Sequence, residues 1–414
     1  MTRTLRIATC VIVLCFAIGR PATLPAAPVD PITEWSVAAS KAAAASGMAP
    51  LRTPISLALL HVAMFDAVTA ITGNGRPRAA VPAATGPASA YAAAVEAGYS
   101  VAMAEFPSQA DALRATYERL LMAEPDSAKK QNGLAVGGAI ARDLLESRAN
   151  DGRNATVVYT PGSGAGVWVP TPPGFLAATS AFLARVTPFT MDTASQFRPS
   201  GPPSLGSRQW RAEYDEVKAL GARFSSHRTP EQTATALFWE PLAGTVWVPT
   251  IRRIAAEQAL DLPSSARFQA AAFAAFADGL IACWEAKFHF NFWRPITAIQ
   301  QGDADGNPQN DTDGSWEPLA ITPNFPEYPS GHTCVSAAVA HTIESFFHHD
   351  VLIPARNIAS GEERLFRRAT DLVDEVVEAR MLLGVHFRAG DEDGAEMGHK
   401  IARQIRRTWL SGRR

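Results

Sequence analysis

The residues of this chain best suited to chemistry cluster in its last third. The stretch Trp284 to Pro295 reads WEAKFHFNFWRP and sets Lys287 and Arg294 seven residues apart. Seven residues are about two helical turns, so both cationic side chains leave nearly the same face and can converge on one point. Pro295 disfavours helical geometry at Arg294, which places the arginine where the helix ends. Two convergent cations among aromatic rings are costly to bury unless an anion sits between them. Downstream, YPSGHT covers Tyr328 to Thr333 and leads into the small-residue and apolar run CVSAAVAHTIESFF. That run reads as a helix with Ser330 at its N-cap, Gly331 allowing close backbone approach and His332 on the first turn. The free N–H groups at such a helix start form an anion site in their own right. In ARMLLGVHFRAGDEDG, Arg380 and His386 stand six residues apart. On one continuous helix they would point about 120° apart, so the spacing predicts a break near Gly384 that lets both reach one pocket.

Taken in order, Lys287-x6-Arg294-Pro295, Pro329-Ser330-Gly331-His332 and Arg380-x5-His386 resemble the three-part signature of the vanadium haloperoxidase and type 2 phosphatidic acid phosphatase superfamily. The signature spans Trp284 to Gly394, and weaker similarity to bacterial haloperoxidase-like proteins runs through SLALLHVAMFDAVTAI and WVPTPPG. Three fixed cations, a hydroxyl, a backbone N–H and two histidines suit a tetrahedral oxyanion such as phosphate or vanadate. The resemblance implies that His386 is the axial group, bonded to vanadium in a haloperoxidase or forming a phosphohistidine in a phosphatase. It implies His332 as the acid–base partner. Lys287, Arg294, Ser330, Gly331 and Arg380 would hold the oxyanion's oxygens, and Lys287 would also polarise peroxide for halide attack.

Two aromatic residues separate the possible activities. Trp284, three before Lys287, and Phe325, seven before His332, resemble chloroperoxidase positions whose rings line the halide side; bromoperoxidases tend to carry histidine at the second. The pair favours a haloperoxidase, taking hydrogen peroxide and bromide or chloride, over an exported acid phosphatase acting on phosphomonoesters. A non-catalytic anion binder would need neither histidine. The phosphatase signature usually has an acidic residue soon after its second histidine; here Asp391 and Asp393 are the candidates for orienting His386. A structural explanation competes, in which the cations pair with buried carboxylates such as Glu285 or Glu378. Ion pairing alone does not require the three spacings.

The elements that must position these groups are helical. A chain of 414 residues with 47% hydrophobic content can bury a sizeable core. Its net charge of -2 gives no case for nucleic acid or an acidic membrane as partner, so any cationic site is local. Residues 1–27 read as a secretory signal: Arg3 and Arg6, an apolar Ile7 to Ile18, then a small-residue zone to Ala27. The reading implies an exported, periplasmic or extracellular protein with no transmembrane segment in the mature chain. Cys10 and Cys15 leave with the signal, and Cys283 and Cys334 remain as two buried thiols rather than a bridge.

Residues 28–152 form a helical first half, with Ala- and Leu-rich runs over Ile32–Ala45, Ile55–Ile71, Ala88–Phe106, Gln109–Met122 and Asp126–Glu146. Within it His61 and Asp66 are read as structural, satisfied inside the bundle. Residues 153–207 lose helical periodicity and read as a packed Pro/Gly-rich crossover, because Trp168, Phe175, Phe182 and Phe189 need burial; it could roof the pocket. Residues 208–414 are a helical second half carrying the motifs, with runs over Ser207–Leu220, Glu231–Phe238, Val246–Leu260 and Ser265–Phe290. Between the first two motifs, GDADGNPQNDTDGSW imitates an EF-hand start, but Pro308 and Gly314 stand where the glycine and glutamate belong, so it reads as a solvated loop. His348 and His349 lack a third ligand and read as exposed. The expected fold is all-α: two helical bundles in one compact domain, with the site in the C-terminal bundle.

Overall fold

The computed structural model describes residues 29–73, 86–348 and 350–410. The expected leader with Cys10 and Cys15, the end of the Thr72–Gly75 turn and His349 lie outside the described residues. The first half contains helices α1 (Pro31–Ala45), α2 (Thr53–Thr72), α3 (Ala90–Glu105), α4 (Ala110–Leu121) and α5 (Ala128–Ser147). The second contains α6 (Arg208–Leu220), α7 (Pro230–Phe238), α8 (Ala243–Glu257), α9 (Leu262–Phe290), α10 (Pro295–Gln300), α11 (Gly331–Phe347), α12 (Ala369–Leu382) and α13 (Arg388–Ile405). One antiparallel hairpin, β1 (Ile353–Arg356) and β2 (Glu363–Phe366), is the only sheet among the described residues. The all-α expectation holds. Helix starts follow local chemistry: Asp30, Ser89, Ser127, Ser207 and Asp261 each accept a backbone N–H of their own first turn.

The two halves share one core. Trp35, Leu59, Phe273 and Val335 belong to a single buried apolar cluster that runs from α1 to α11. Its axis is the pair α2 and α9, which pack on one another. Both are long and apolar enough to cross a membrane, contrary to the expectation that no segment after the leader would be; 83% and 94% of their apolar windows are buried inside the protein. Their composition is that of core helices enclosed on all sides. His61 on α2 is fully buried and stacks on Phe273 at 4.3 Å. Neither of its ring nitrogens has a hydrogen-bond partner among the described residues, so it is not satisfied by hydrogen bonding as expected.

Helices α11 and α13 approach closely because α13 carries glycine where they touch. A Cβ at Gly394 would lie 2.2 Å from Thr333 Oγ1, and one at Gly398 would lie 2.2 Å from the Cys334 carbonyl. This contact locks the start of α11, which carries Ser330 to His332, against the chain that carries His386.

Three loop expectations need correction. The crossover is anchored, with the backbone N–H groups of Phe189 and Thr190 donating to Asp278 of α9 at 2.7 and 2.8 Å. Trp168 and Phe189 are buried, but Phe175 is 64% exposed. Nor does the crossover roof the cavity described below, since none of its residues is among the described lining. The EF-hand-like loop is partly buried rather than solvated: Asp305 accepts from Trp210 Nε1 at 2.8 Å and from its own loop at Asn307 N. Its carboxylate fastens the loop to α6 and holds no metal-ligand cluster, of which there is none among the described residues.

Candidate active site

Lys287 sits in the last turn of α9, as the sequence predicts. The helix ends three residues later, with Asn291 in the left-handed region at φ 51°. Arg294 is therefore not on the same helical face; it is extended (φ −88°, ψ 156°) and opens α10, whose first residue is Pro295. Convergence of the two cations comes from the chain reversal at Asn291 rather than from the helical repeat. Lys287 Nζ donates to the carbonyls of Pro326 (3.0 Å) and Glu327 (2.7 Å). Arg294 donates to Phe325 O (3.0 Å) and Val385 O (2.7 Å), and its Nη1 lies 3.2 Å from His386 Nε2. Both side chains are fully buried.

Ser330 occupies the N-cap position of α11, but its hydroxyl makes no cap hydrogen bond. It lies beside Asp391, whose proton affinity it lowers, in a geometry short of a formed bond. Gly331 is required by contact as well as by its free N–H: a Cβ there would meet the Trp284 ring at 3.0 Å, and Lys287 Cε lies 3.9 Å away. His332 points its Nε2 at the Pro241 carbonyl, 3.0 Å distant. Helix α12 stops at Leu382 and Gly384 takes φ 73°, the break expected from the six-residue spacing. Arg380 reaches back to Trp239 O at 3.1 Å, while His386 turns toward Arg294.

Phe325 and Trp284 complete the arrangement, their ring centroids 5.0 Å apart. Lys287 Nζ lies 5.3 Å from the Phe325 centroid and 5.7 Å from that of Trp284. Trp284, Phe325, Gly331, His332, Arg380 and His386 all line one cavity. The structure thus brings together every residue singled out by the three motifs.

Two carboxylate assignments change. Neither Asp391 nor Asp393 orients His386. Asp393 accepts from the Tyr328 hydroxyl, and Asp391 faces Ser330. The partner of His386 is Glu327, fully buried, whose Oε1 receives the histidine Nδ1–H at 2.6 Å and the Phe387 N–H at 3.2 Å. Sequence reasoning missed it, although one signal was present: a lone acidic residue in FPEYPSG, embedded in residues that must be buried. Gly390 makes room for it, since a Cβ there would fall 2.4 Å from Glu327 Oε1. Glu285 and Glu378 are occupied elsewhere, by Arg198 at 2.9 Å and Arg388 at 2.6 Å. They are not counter-ions of the cage. Cys283 and Cys334 are free, buried thiols.

The electrostatics show what the cage lacks. Burial lowers Lys287 to about 8, Arg294 to about 9 and Arg380 to about 10. Burial raises Glu327 to about 7 against the pull of Lys287 and Arg294, and holds Asp391 well above the usual carboxylate range. Desolvation, then the nearby cations, push both His332 and His386 well below their ordinary value. Each group is disfavoured in its charged form, as expected of cations gathered without their anion. Among the described residues, Arg294 Nη2, Arg380 Nε and Ser330 Oγ are buried without a hydrogen-bond partner. Buried donors of this strength are rarely left unpaired. Three unpartnered buried donors, one from each motif, fit an oxyanion, and vanadate is of that class.

The comparisons agree with this fold. Residues 267–411 match the family described as the VCPO second helical-bundle domain. Vanadium chloroperoxidase of Curvularia inaequalis is 32% identical over 190 residues, a match that spans 38% of this chain and 30% of that protein. Among solved structures, the first bacterial vanadium-dependent iodoperoxidase superposes with a TM-score of 0.78 at 24% identity, covering 91% of this chain and 96% of that one. A bacterial vanadium-dependent chloroperoxidase in its holo form superposes with a TM-score of 0.67 at 18% identity, covering 93% and 96%. The second half of this chain thus carries a helical-bundle domain of the vanadium chloroperoxidase kind, and the chain as a whole has the fold of bacterial vanadium haloperoxidases.

Proposed function

We propose that the chain is a vanadate-dependent haloperoxidase that uses hydrogen peroxide to oxidise bromide or chloride. The observation that carries the reading is the set of unpartnered buried donors, Arg294 Nη2, Arg380 Nε and Ser330 Oγ, one on each of the three motifs. Bound vanadate would supply a Lewis acid that activates peroxide for two-electron oxidation of halide. The chain's own residues do the rest. Glu327 accepts the Nδ1–H of His386, which leaves Nε2, 3.2 Å from Arg294 Nη1, as the nitrogen that would hold vanadate. Lys287, Arg294, Arg380, Ser330 Oγ and the Gly331 N–H would hold the oxyanion's oxygens and neutralise its charge. Pro241 accepts from His332 Nε2, so His332 Nδ1 is the free nitrogen for proton transfer. Trp284 and Phe325 give an apolar wall beside Lys287, where a poorly hydrated halide can approach.

Lys287→Ala is expected to weaken vanadate binding by about 1.5–3 kcal/mol, the worth of a hydrogen bond to a charged group, or roughly ten- to a hundredfold. Titration calorimetry checks it, and unchanged affinity would place Lys287 outside the site.

The choice of chemistry is tested at Phe325. Its replacement by histidine puts a titratable group beside the cage without removing a cation. Vanadate affinity should change little, while the rate of halide oxidation and its pH optimum shift. Wild type and Phe325→His are loaded with vanadate, and bromide and chloride oxidation are followed against pH alongside phosphomonoester hydrolysis. No peroxide-dependent halogenation in loaded wild type, together with rapid phosphoester hydrolysis inhibited by vanadate, would overturn the reading.

A further inference from the structure

Two thiols stand directly behind the cage, and the proposed reaction uses neither. Cys283 lies one turn before Lys287 on α9, and Cys334 lies one turn after Ser330 on α11. Both are fully buried. The two helices all but touch at this level: a Cβ at Gly279, one turn before Cys283, would fall 3.3 Å from the Cα of Val335, the residue after Cys334. Backbones this close are within the reach of a disulfide. Across that contact the thiols of Cys283 and Cys334 meet as side-chain partners. Cys283 Sγ also faces the Pro329 carbonyl at 3.5 Å, and Cys334 Sγ lies 3.8 Å from Met397 Sδ on α13. A small neutral oxidant has a short way to travel, because Trp284 and Val335, the chain neighbours of the two cysteines, line the cavity at the cage. The pair is unequal. Burial opposes ionisation of both thiols, but at Cys283 the Cys334 thiol and the Lys287 ammonium outweigh it and hold the group below its ordinary value. Burial, then Cys283 itself, pushes Cys334 well above that value. Such a difference separates an attacking thiol from a resolving one.

We infer that Cys283 and Cys334 are a peroxide-sensitive pair, which closes into a disulfide tying α9 to α11 and so weakens the cage's hold on its oxyanion. The inference rests on the haloperoxidase reading only for the presence of hydrogen peroxide at the site. The Cys283 thiolate attacks one peroxide oxygen and the O–O bond breaks. Cys283 becomes a sulfenic acid, and the departing hydroxide takes up the thiol's proton as water. Cys334 then attacks the sulfenic sulfur, whose S–O bond breaks as the S–S bond forms. The hydroxyl leaves with the Cys334 proton as a second water. In sum the two thiols lose two electrons and two protons, and one peroxide becomes two waters. Forming the bond draws Cys283 Sγ away from the carbonyl of Pro329, the residue before Ser330. The start of α11, with the Ser330 hydroxyl and the Gly331 N–H, shifts with it.

The test treats the vanadate-free protein with hydrogen peroxide, stops the reaction with catalase, and alkylates the remaining thiols in denaturant. Mass spectrometry of an unreduced digest should find the Cys283 peptide joined to the Cys334 peptide, and a phosphine reductant should separate them. Undenatured protein treated in the same way is titrated with vanadate by calorimetry. Its affinity should be lower than that of untreated protein by at least about tenfold, the effect of losing one hydrogen bond to a charged group. Reduction followed by desalting should restore it. Cys283→Ala and Cys334→Ala should each bind vanadate as untreated wild type does and lose both the linked peptide and the reversible weakening. Either variant alone suffices if the other does not fold. Wild-type protein whose two thiols both alkylate after peroxide treatment, or in which oxidation stops at Met397, would overturn the inference. A linked peptide at unchanged vanadate affinity would overturn the claim that the bridge acts on the cage. A linked peptide and reversibly weakened binding in a protein that halogenates nothing would sustain the inference and count against the haloperoxidase reading alone.

Discussion

Replacing His386 with alanine is expected to reduce peroxide-dependent halide oxidation to background. The ring is 1% exposed, held by Glu327 on one nitrogen and facing Arg294 with the other. No other described side chain in the cage offers a neutral nitrogen in that place, since His332 is turned toward Pro241. The loss should be in turnover first, because Lys287, Arg294 and Arg380 still attract an oxyanion by charge. Steady-state oxidation of bromide by vanadate-saturated protein checks it, with circular dichroism to confirm the fold. Substantial turnover in a folded His386→Ala protein would reject the proposed role of His386 in holding vanadate.

The second large effect is expected from Glu327 through two independent substitutions. Glu327→Ala removes the acceptor of the His386 Nδ1 proton and leaves Lys287 and Arg294 without their nearest carboxylate. Loss of a partner that orients a ligand commonly costs about ten- to a hundredfold in metal affinity or activity. Leaving the buried His386 N–H without its acceptor also costs stability, about 1–3 kcal/mol. Glu327→Gln keeps an acceptor oxygen of the same shape, so it should recover part of the loss in kcat and most of the stability. Gly390→Ala reaches the same carboxylate from the other side. Its Cβ would fall 2.4 Å from Oε1, and that oxygen is already committed to His386 and Phe387. The alanine must push Glu327 off His386, so its activity should fall toward that of Glu327→Ala. Vanadate affinity and kcat measured for the three variants decide the matter. If Gly390→Ala and Glu327→Ala both leave kcat and affinity intact, Glu327 does not position the histidine.

The sequence alone singled out the candidate cage residues of the three motifs and the backbone shape around them. Pro295 after Arg294, Ser330-Gly331 at a helix start, and Gly384 between Arg380 and His386 each set backbone shape within a few residues. Local preferences of that kind survive in any fold. The buried apolar faces of α2 and α9 were legible for the same reason: their composition leaves no polar stripe. Tertiary structure decided what depends on distant chain segments meeting. Glu327 reaches His386 across 59 residues, a pairing that no spacing rule encodes. Asp391 and Asp393 were the nearer carboxylates in sequence, yet α13 turns one toward Ser330 and the other toward Tyr328. The hydroxyl of Ser330 was expected to cap its helix and instead makes no cap hydrogen bond, because Asp391 and the close packing of α11 on α13 set its surroundings. The long crossover was the obvious candidate to roof the site, but the cavity wall comes from α1 and the start of α2, placed there by one shared core. Hydrogen-bond partners over such separations are selected by which faces are buried against each other, and that selection is a property of the packed whole rather than of any stretch of chain.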